Sequence, residues 1–392
     1  MMTTSEELVE RAKGLVPRLR GRAHNAEEMG RLHDETVQEL VEAELLKTMT
    51  PKRFGGLQFS WDTGARIIET IASGDSSAGW VMNAYLSTSW VMSIFPLETQ
   101  QEVFGSRGYA LGPCPINPGL GKARKVAGGY RVTLKGPFAS GVYHSEWAVA
   151  CAMVEKGDNS DLPVSIVMLL PRADYTFDLS SWAVLGMKAT GSATIIAEDV
   201  FVPDQRAMGM EFLSNGKAPG AVAHKSPVYR VPYGPGFFFY TTAALLGMAR
   251  HGVDAFRDHL LSAIIAFTGE PKSDNPAAQM SLGSAAAPVD AAAALIHSDV
   301  AACLSAVEKG TLDISQRSAF RLHGAYAALL CRQSITAVKD MAGANALRQG
   351  SPIQRVFRDI QMASGNWAFN LPVGEELYGR HHLGKPINTE FV

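Results

Sequence analysis

Cysteine is scarce in this chain: four in 392 residues, at positions 114, 151, 303 and 331, with no paired spacing. That scatter offers neither a metal-ligand set nor a disulfide framework, and it predicts free, mostly buried thiols in a reducing cytoplasm. An excess of one charge is lacking too. Lys and Arg total 36 against 38 Asp and Glu, a formal net charge of −2, so nothing in the charge points to nucleic acid or an anionic membrane as partner. The longest apolar stretch, Phe237–Ala249, is interrupted by Thr and Gly and is too short to span a bilayer. The opening residues Met-Met-Thr-Thr-Ser-Glu-Glu carry neither the basic nor the apolar region of a signal peptide, and the expectation is a cytoplasmic protein. There is no His-Glu-x-x-His, no Walker loop and no strand-linked Gly-x-Gly-x-x-Gly; Gly119 and Gly121 fall in a proline-rich loop. A metal centre and a Rossmann-bound nicotinamide therefore have no support, and any redox chemistry needs another carrier.

What is present is ordinary for a soluble globular chain: 46% hydrophobic and 19% charged residues, long enough for two or three domains. Residues 1–108 read as a helical domain. Thr36, Leu40, Val41, Ala43, Leu45 and Leu46 contain three- and four-residue spacings, and Asp75-Ser76-Ser77 offers N-caps for a helix holding Trp80–Trp90. Residues 109–212 change character. Gly and Pro become frequent, and β-type runs at Tyr130–Lys135, Trp147–Val154, Val164–Leu170 and Thr194–Val202 predict a compact β-barrel or sandwich. Residues 213–236 read as a linker or substrate-side loop. Residues 237–392 are helical again, with alanine-rich runs at 242–266, 285–309 and 313–341 long enough for bundle helices and Pro288 placed as a first-turn residue. The fold class is α+β, mostly α, in an α–β–α order.

Two segments carry chemistry. Gly-Met-Lys-Ala-Thr-Gly-Ser at 186–192 lets a backbone approach a flat ligand closely, with Thr190 and Ser192 adding hydroxyls. About fifty residues upstream, Tyr130–Trp147 breaks from an alternating strand into Phe138-Ala-Ser140-Gly141. Either alone reads equally well as a β-turn. Together, in this order and with these flanks, they resemble the flavin-cradling middle domain of the acyl-CoA dehydrogenase fold. The likeness is greatest to its branch of two-component, reduced-flavin-dependent monooxygenases, and it covers nearly the whole chain.

That resemblance implies an N-terminal helical domain, a central β-barrel domain and a C-terminal four-helix bundle. Phe138 would pack on the isoalloxazine, and Ser140 would approach its N5 beside Gly141. The loop Asn117-Pro118-Gly119-Leu120-Gly121 would face the pyrimidine, and Thr190, Gly191 and Ser192 would form the second wall. Ser351, as N-cap before Pro352, with Gln354 and Arg355, would offer a helix start to the phosphate of a neighbouring subunit's flavin, implying a homotetramer. The Arg358–Asp359 pair reads better as an internal pair that holds the bundle together.

Departures from the family matter as much. The arginine that grips an FAD pyrophosphate in the first bundle helix is replaced within Ile264–Gly269, which favours FMN or a loosely held reduced FAD. Where a dehydrogenase would place its carboxylate base stand Asn366 and Trp367, which argues against dehydrogenation. The monooxygenase branch has histidines at sites here occupied by Asn366 and Thr88, so ordinary phenol hydroxylation is in doubt. His144 and the pair His381-His382 are the remaining titratable candidates, and surface positions explain them as well. Ser140, His144 and Asn366 are thus the catalytic candidates. Tyr85, Thr88, Trp182, Phe238, Asn366, Trp367 and His382 are the candidates to face an apolar substrate.

The activity implied is the oxygenase component of a two-component flavin monooxygenase. A separate reductase supplies reduced FMN or FAD, O₂ reacts at flavin C4a, and oxygen passes to an aromatic or heteroatom-bearing small molecule. An FAD-dependent acyl-CoA dehydrogenase and an amine N-oxygenase on the same fold remain as alternatives.

Overall fold

The structure is a computed structural model describing residues 3–155, 161–265, 268–387 and 389. The N-terminal domain holds α1 (Ser5–Met29), α2 (Asp34–Glu42), α3 (Trp61–Ala72), α4 (Ser76–Ser93) and α5 (Leu97–Phe104). A capping box starts α1: Thr4 Oγ1 accepts from the Glu7 amide while the Glu7 carboxylate accepts from the Thr4 amide. Asp75 caps α4, accepting from the Ala78 amide at 2.8 Å. Nearly every side of α4 is buried, so it is the central helix of the molecule.

The chain then forms β1 (Gly121–Val126), β2 (Gly129–Gly136), β3 (Trp147–Glu155), β4 (Ser165–Pro171), β5 (Thr176–Asp178), β6 (Thr194–Pro203) and β7 (Ala207–Gly209). They make one seven-stranded sheet in the order β5-β6-β2-β1-β3-β4-β7, antiparallel except for the parallel pair β1–β3. The central strands are covered on both faces. Ala148, Ala150, Ile166, Met168 and Leu170 point into a core of their own, while Val149, Cys151, Val167 and Leu169 join the helical core. A period of two thus divides one strand between two cores.

After α6 (Pro219–His224) come the helices of the C-terminal domain: α7 (Tyr233–Ser262), α8 (Pro276–Lys309), α9 (Ile314–Ala342), α10 (Pro352–Ala363) and α11 (Leu371–His382). Helix α7 packs against α3, α4, α8, α9 and α10, joining the two helical domains. All four cysteines are free, and three of them are buried.

Two sequence expectations need correction. Pro276, not Pro288, occupies the first turn of α8; Pro288 sits inside the helix, where the bundle tolerates its missing amide. The run 242–266 does not stay helical to its end. Helix α7 stops at Ser262, and Ile264 pairs with Pro271 in an isolated bridge, so Ile264–Gly269 follows the helix. Ala266 and Phe267 of that segment lie outside the described residues. Helix α8 is long and apolar enough to cross a membrane by length and composition alone, with 44% of that window buried. Its place against α7 and α9 makes it a bundle helix.

Candidate functional site

The two glycine- and hydroxyl-bearing segments meet. The Gly141 amide donates to Thr190 O at 2.9 Å, and the Ala139 amide donates to Ala193 O at 3.1 Å, so the turns after β2 and before β6 are laced together. Phe138 takes φ +62°, a left-handed conformation costly for a bulky residue, and the residue stays 62% exposed. It meets Trp182 edge-on at 5.9 Å, leaving an aromatic face toward open space. Gly141, at φ +76°, leaves no room for a Cβ, which would strike the Tyr85 ring at 2.7 Å. The Tyr85 hydroxyl donates to Gly141 O at 2.8 Å, so Tyr85 supports the turn from beneath.

Three hydroxyls stand in a row between the turns. Ser140 Oγ lies 2.7 Å from Ser192 Oγ, which lies 2.6 Å from Thr190 Oγ1, and Thr190 donates onward to Met187 O at 2.8 Å. The Trp182 indole N–H also donates to Met187 O, at 3.2 Å.

The row opens on a cavity of about 1140 Å³. Asn117, Phe138, Ser140, Trp182, Thr190, Ser192, Asn366 and Trp367 all line it. Trp367 stacks on Phe237 at 5.4 Å and 9°, and Arg321 lies over the Trp367 ring at 5.2 Å. Sequence reasoning missed much of the wall: Trp80, Asn83, Ala84 and Ser87 from α4, and Val373, Glu376 and Leu377 from α11. The signal available for α4 was faint: Asn83 and Ser87 are four apart and share a face, but Ser76, Ser77, Thr88, Ser89 and Ser93 are polar too; Ser87 donates to Asn83 at 3.2 Å. Cys114 also lines the cavity beside Tyr233, and burial pushes its thiol up to about 12, so it stays protonated.

Other expected residues lie elsewhere. His144 is outside the lining: its Nε2 contacts the Asp34 carboxylate at 2.9 Å, and burial lowers its pKa although Asp34 opposes this. Thr88 and Phe238 are buried and do not line the cavity; Phe238 backs Trp367 edge-on at 5.8 Å. His382 packs on Tyr378 at 4.2 Å, one turn beyond the α11 residues that reach the cavity. Asn366 lines it, but its side chain caps the turn that carries Trp367, accepting from the Ala368 amide at 3.0 Å. Gly119, Gly141 and Gly191 contribute backbone next to lining residues. Ser351 is the N-cap of α10 and makes no side-chain cap bond, while Gln354 accepts from Arg358 at 2.8 Å. Arg355 is buried, with its charge acting on Asp75 and Glu27. None of these three lines the cavity within one chain.

Arg358 and Asp359 are structural, but not as partners of one another. Arg358 pairs with Glu27 of α1 and donates to Leu185 O at 2.8 Å. Asp359 accepts from the Met187 amide at 2.6 Å. Gly186 passes so near that a Cβ would meet Arg358 O at 2.2 Å. Helix α10 therefore grips the turn 186–192 from behind. Burial, with the neighbouring Asp75 charge, pushes the Asp359 carboxyl up to about 6 although the Met187 amide opposes it. Burial likewise raises Asp75. Burial also acts to raise Glu27, but the Arg358 guanidinium outweighs it and leaves that carboxyl below its ordinary value.

A helical domain, a sheet whose turns open on a cavity, and a closing helical bundle define an acyl-CoA dehydrogenase-like fold. The family descriptions agree: "Acyl-CoA dehydrogenase, N-terminal domain" matches residues 4–105 and "Acyl-CoA dehydrogenase, C-terminal domain" matches residues 240–370. The chain belongs to the acyl-CoA dehydrogenase family. Within it, the chain is 34% identical to a pigment production hydroxylase of Rhodococcus sp., covering 100% of both proteins. It is 31% identical to the flavin-dependent monooxygenase oxygenase subunit HsaA of Rhodococcus jostii, covering 98% of this chain and 100% of that one. The solved structure of XiaF from Streptomyces sp., in complex with FADH₂ and glycerol, superposes with a TM-score of 0.89 at 26% identity. That match covers 98% of this chain and 97% of XiaF.

The residues present fit a flavin. An exposed aromatic held in a left-handed conformation, a row of hydroxyls and two pairs of aromatic rings lining a roomy cavity suit a flat, amphipathic ring system.

Proposed function

We infer that this chain is the oxygenase component of a two-component flavin-dependent monooxygenase. It uses reduced FMN or FAD from a separate reductase, with O₂, to oxygenate an apolar aromatic or heteroatom-containing small molecule. The observation that carries this reading is the row Ser140–Ser192–Thr190 opening on an aromatic-walled cavity of about 1140 Å³.

Phe138, Ser140, Gly141, Thr190, Gly191 and Ser192 hold the flavin ring, with the Asn117–Gly121 loop at its other edge. When bound, reduced flavin supplies the activation of O₂; the protein supplies binding, orientation and shelter from water. Trp182 and Trp367 wall the substrate space, with the face of Trp367 fixed by Phe237, Phe238 and Arg321. Cavity-facing Asn83, Ser87 and Cys114 are neutral, and Asn83 and Ser87 offer hydrogen bonds among aromatic walls, so this side suits a planar molecule that carries a polar heteroatom. Asn366 offers no base, and Glu376 on the cavity wall is exposed beside Arg380, which counts against an acyl-CoA dehydrogenase. His144, committed to Asp34, has no part in the chemistry.

The unpaired helix start at Ser351 serves the flavin phosphate of a neighbouring copy, and the assembly is a homotetramer in the cytoplasm. Helix α8 supports this: Gly283, Ala287, Ala291, Ala294, Ser298 and Ala301 leave a small, uncharged exposed face at three- and four-residue spacing. The test is to supply reductase, NADH, FMN and labelled O₂ with a panel of neutral bicyclic aromatics. Label in an organic product supports the reading, and peroxide alone from every substrate contradicts it.

A further inference from the structure

The hydroxyl row has a direction. A carbonyl cannot donate, so the contact between Thr190 and Met187 O, at 2.8 Å, uses the single Thr190 hydroxyl proton. At the 2.6 Å contact between Thr190 and Ser192, the proton must therefore come from Ser192. At the 2.7 Å contact between Ser192 and Ser140, it must then come from Ser140. All three hydroxyl residues are at most 6% exposed, so water has little room to interrupt the sequence. Each proton is thus spent within the row, from Ser140 to Ser192 to Thr190 to Met187 O. Ser140 Oγ is left with lone pairs on the cavity side and no proton to offer there.

The head of the row is fixed from behind. Met187 O also accepts from the Trp182 indole at 3.2 Å and from the Thr190 amide at 3.1 Å, while the Met187 amide is held by Asp359 at 2.6 Å. The peptide that sets the direction is thus tied on both sides and cannot turn over without breaking the grip of α10.

We propose that Thr190 and Ser192 set the polarity of Ser140, making it an acceptor toward the cavity, so that the site selects reduced over oxidised flavin. Reduced flavin presents N5–H, a donor that Ser140 accepts. Oxidised flavin presents a bare N5, which meets lone pair against lone pair. This rests on the flavin reading above and adds to it which residues discriminate the redox state. Thr190 and Ser192 are positioning residues for Ser140.

The test compares equilibrium binding of oxidised FMN in air with binding of dithionite-reduced FMN under argon, and involves no turnover. Ser192→Ala removes the acceptor of the Ser140 proton, and Thr190→Val removes the fixed end of the row; either frees Ser140 to donate into the cavity. Each variant is expected to gain affinity for oxidised FMN by about two- to tenfold, the worth of one hydrogen bond, while losing less for reduced FMN. Thr190→Ser keeps the hydroxyl and should keep the wild-type ratio. Ratios unchanged within twofold in Ser192→Ala and Thr190→Val overturn the proposal and leave the flavin reading standing. Wild-type protein that binds neither form overturns both. Should a variant fail to fold, the wild type decides: its bound flavin must have a higher midpoint potential than free FMN, and a lower one refutes the polarity.

Discussion

Asp359 offers the sharpest test of how the flavin-side turn is held. Its carboxylate is buried beneath Met187, beside Asp75, and its pKa is pushed from 3.8 to about 6. Keeping that charge ionised at neutral pH costs about 3 kcal/mol of stability relative to an ordinary aspartate, at about 1.4 kcal/mol per tenfold in the equilibrium. The sign follows from a folded pKa above the unfolded one. The favourable contribution is complete below pH 3.8 and is lost as pH rises through about 6. Asp359→Asn keeps an oxygen to accept from the Met187 amide without the charge, and relieves Asp75. Its Tm should exceed that of the wild type at pH 7, and the gap should close as pH falls from 6 toward 4. Asp359→Ala removes the charge but strands the Met187 amide, a loss of about 1–3 kcal/mol that offsets the gain. Calorimetry across pH 4–8 reads all three proteins. An Asn variant less stable than the wild type at pH 7, with a gap that does not change with pH, would refute the reasoning.

Ser140→Ala should raise uncoupled release of H₂O₂ by roughly two- to tenfold, the rate equivalent of one lost hydrogen bond, read by peroxide assay against product formed. Ser145→Ala, on the same loop, should leave coupling intact and instead lower stability by about 1 kcal/mol. Ser145 is buried, donating to Val142 O at 2.5 Å and lying 2.7 Å from the Tyr175 hydroxyl; denaturant unfolding measures the loss. Light scattering should give a tetramer, and a monomer that binds flavin as tightly would remove the role assigned to Ser351.

The broad fold was legible because strong periodicity survives in sequence. The runs at 130–135, 147–154, 164–170 and 194–202 became β2, β3, β4 and β6 nearly residue for residue. Strand β1 was hidden. Its buried positions, Gly121 and Ala123, are too small to read as apolar, and its outward residues are Lys122 and Arg124. Pro288 misled because position along a helix depends on where the helix starts, and Asn275-Pro276 supplied an earlier cap. The site divides the same way. Phe138, Ser140, Thr190 and Ser192 were visible as local turn chemistry. The order of the hydroxyls, the grip of Asp359 on a residue 172 positions away and the α4 and α11 walls exist only in the folded chain. His144 looked poised by sequence proximity to Ser140, yet the loop's path turns it toward Asp34.

The central claim is that this cavity holds reduced flavin while O₂ reacts there, and rapid mixing tests it most directly. Protein preloaded with reduced FMN under argon is mixed with oxygenated buffer, and flavin absorbance is followed alongside peroxide release. The account predicts reoxidation in two resolved phases, with peroxide appearing only in the second and more slowly than with free FMN. A single phase, with peroxide released at the rate of free flavin, would contradict it.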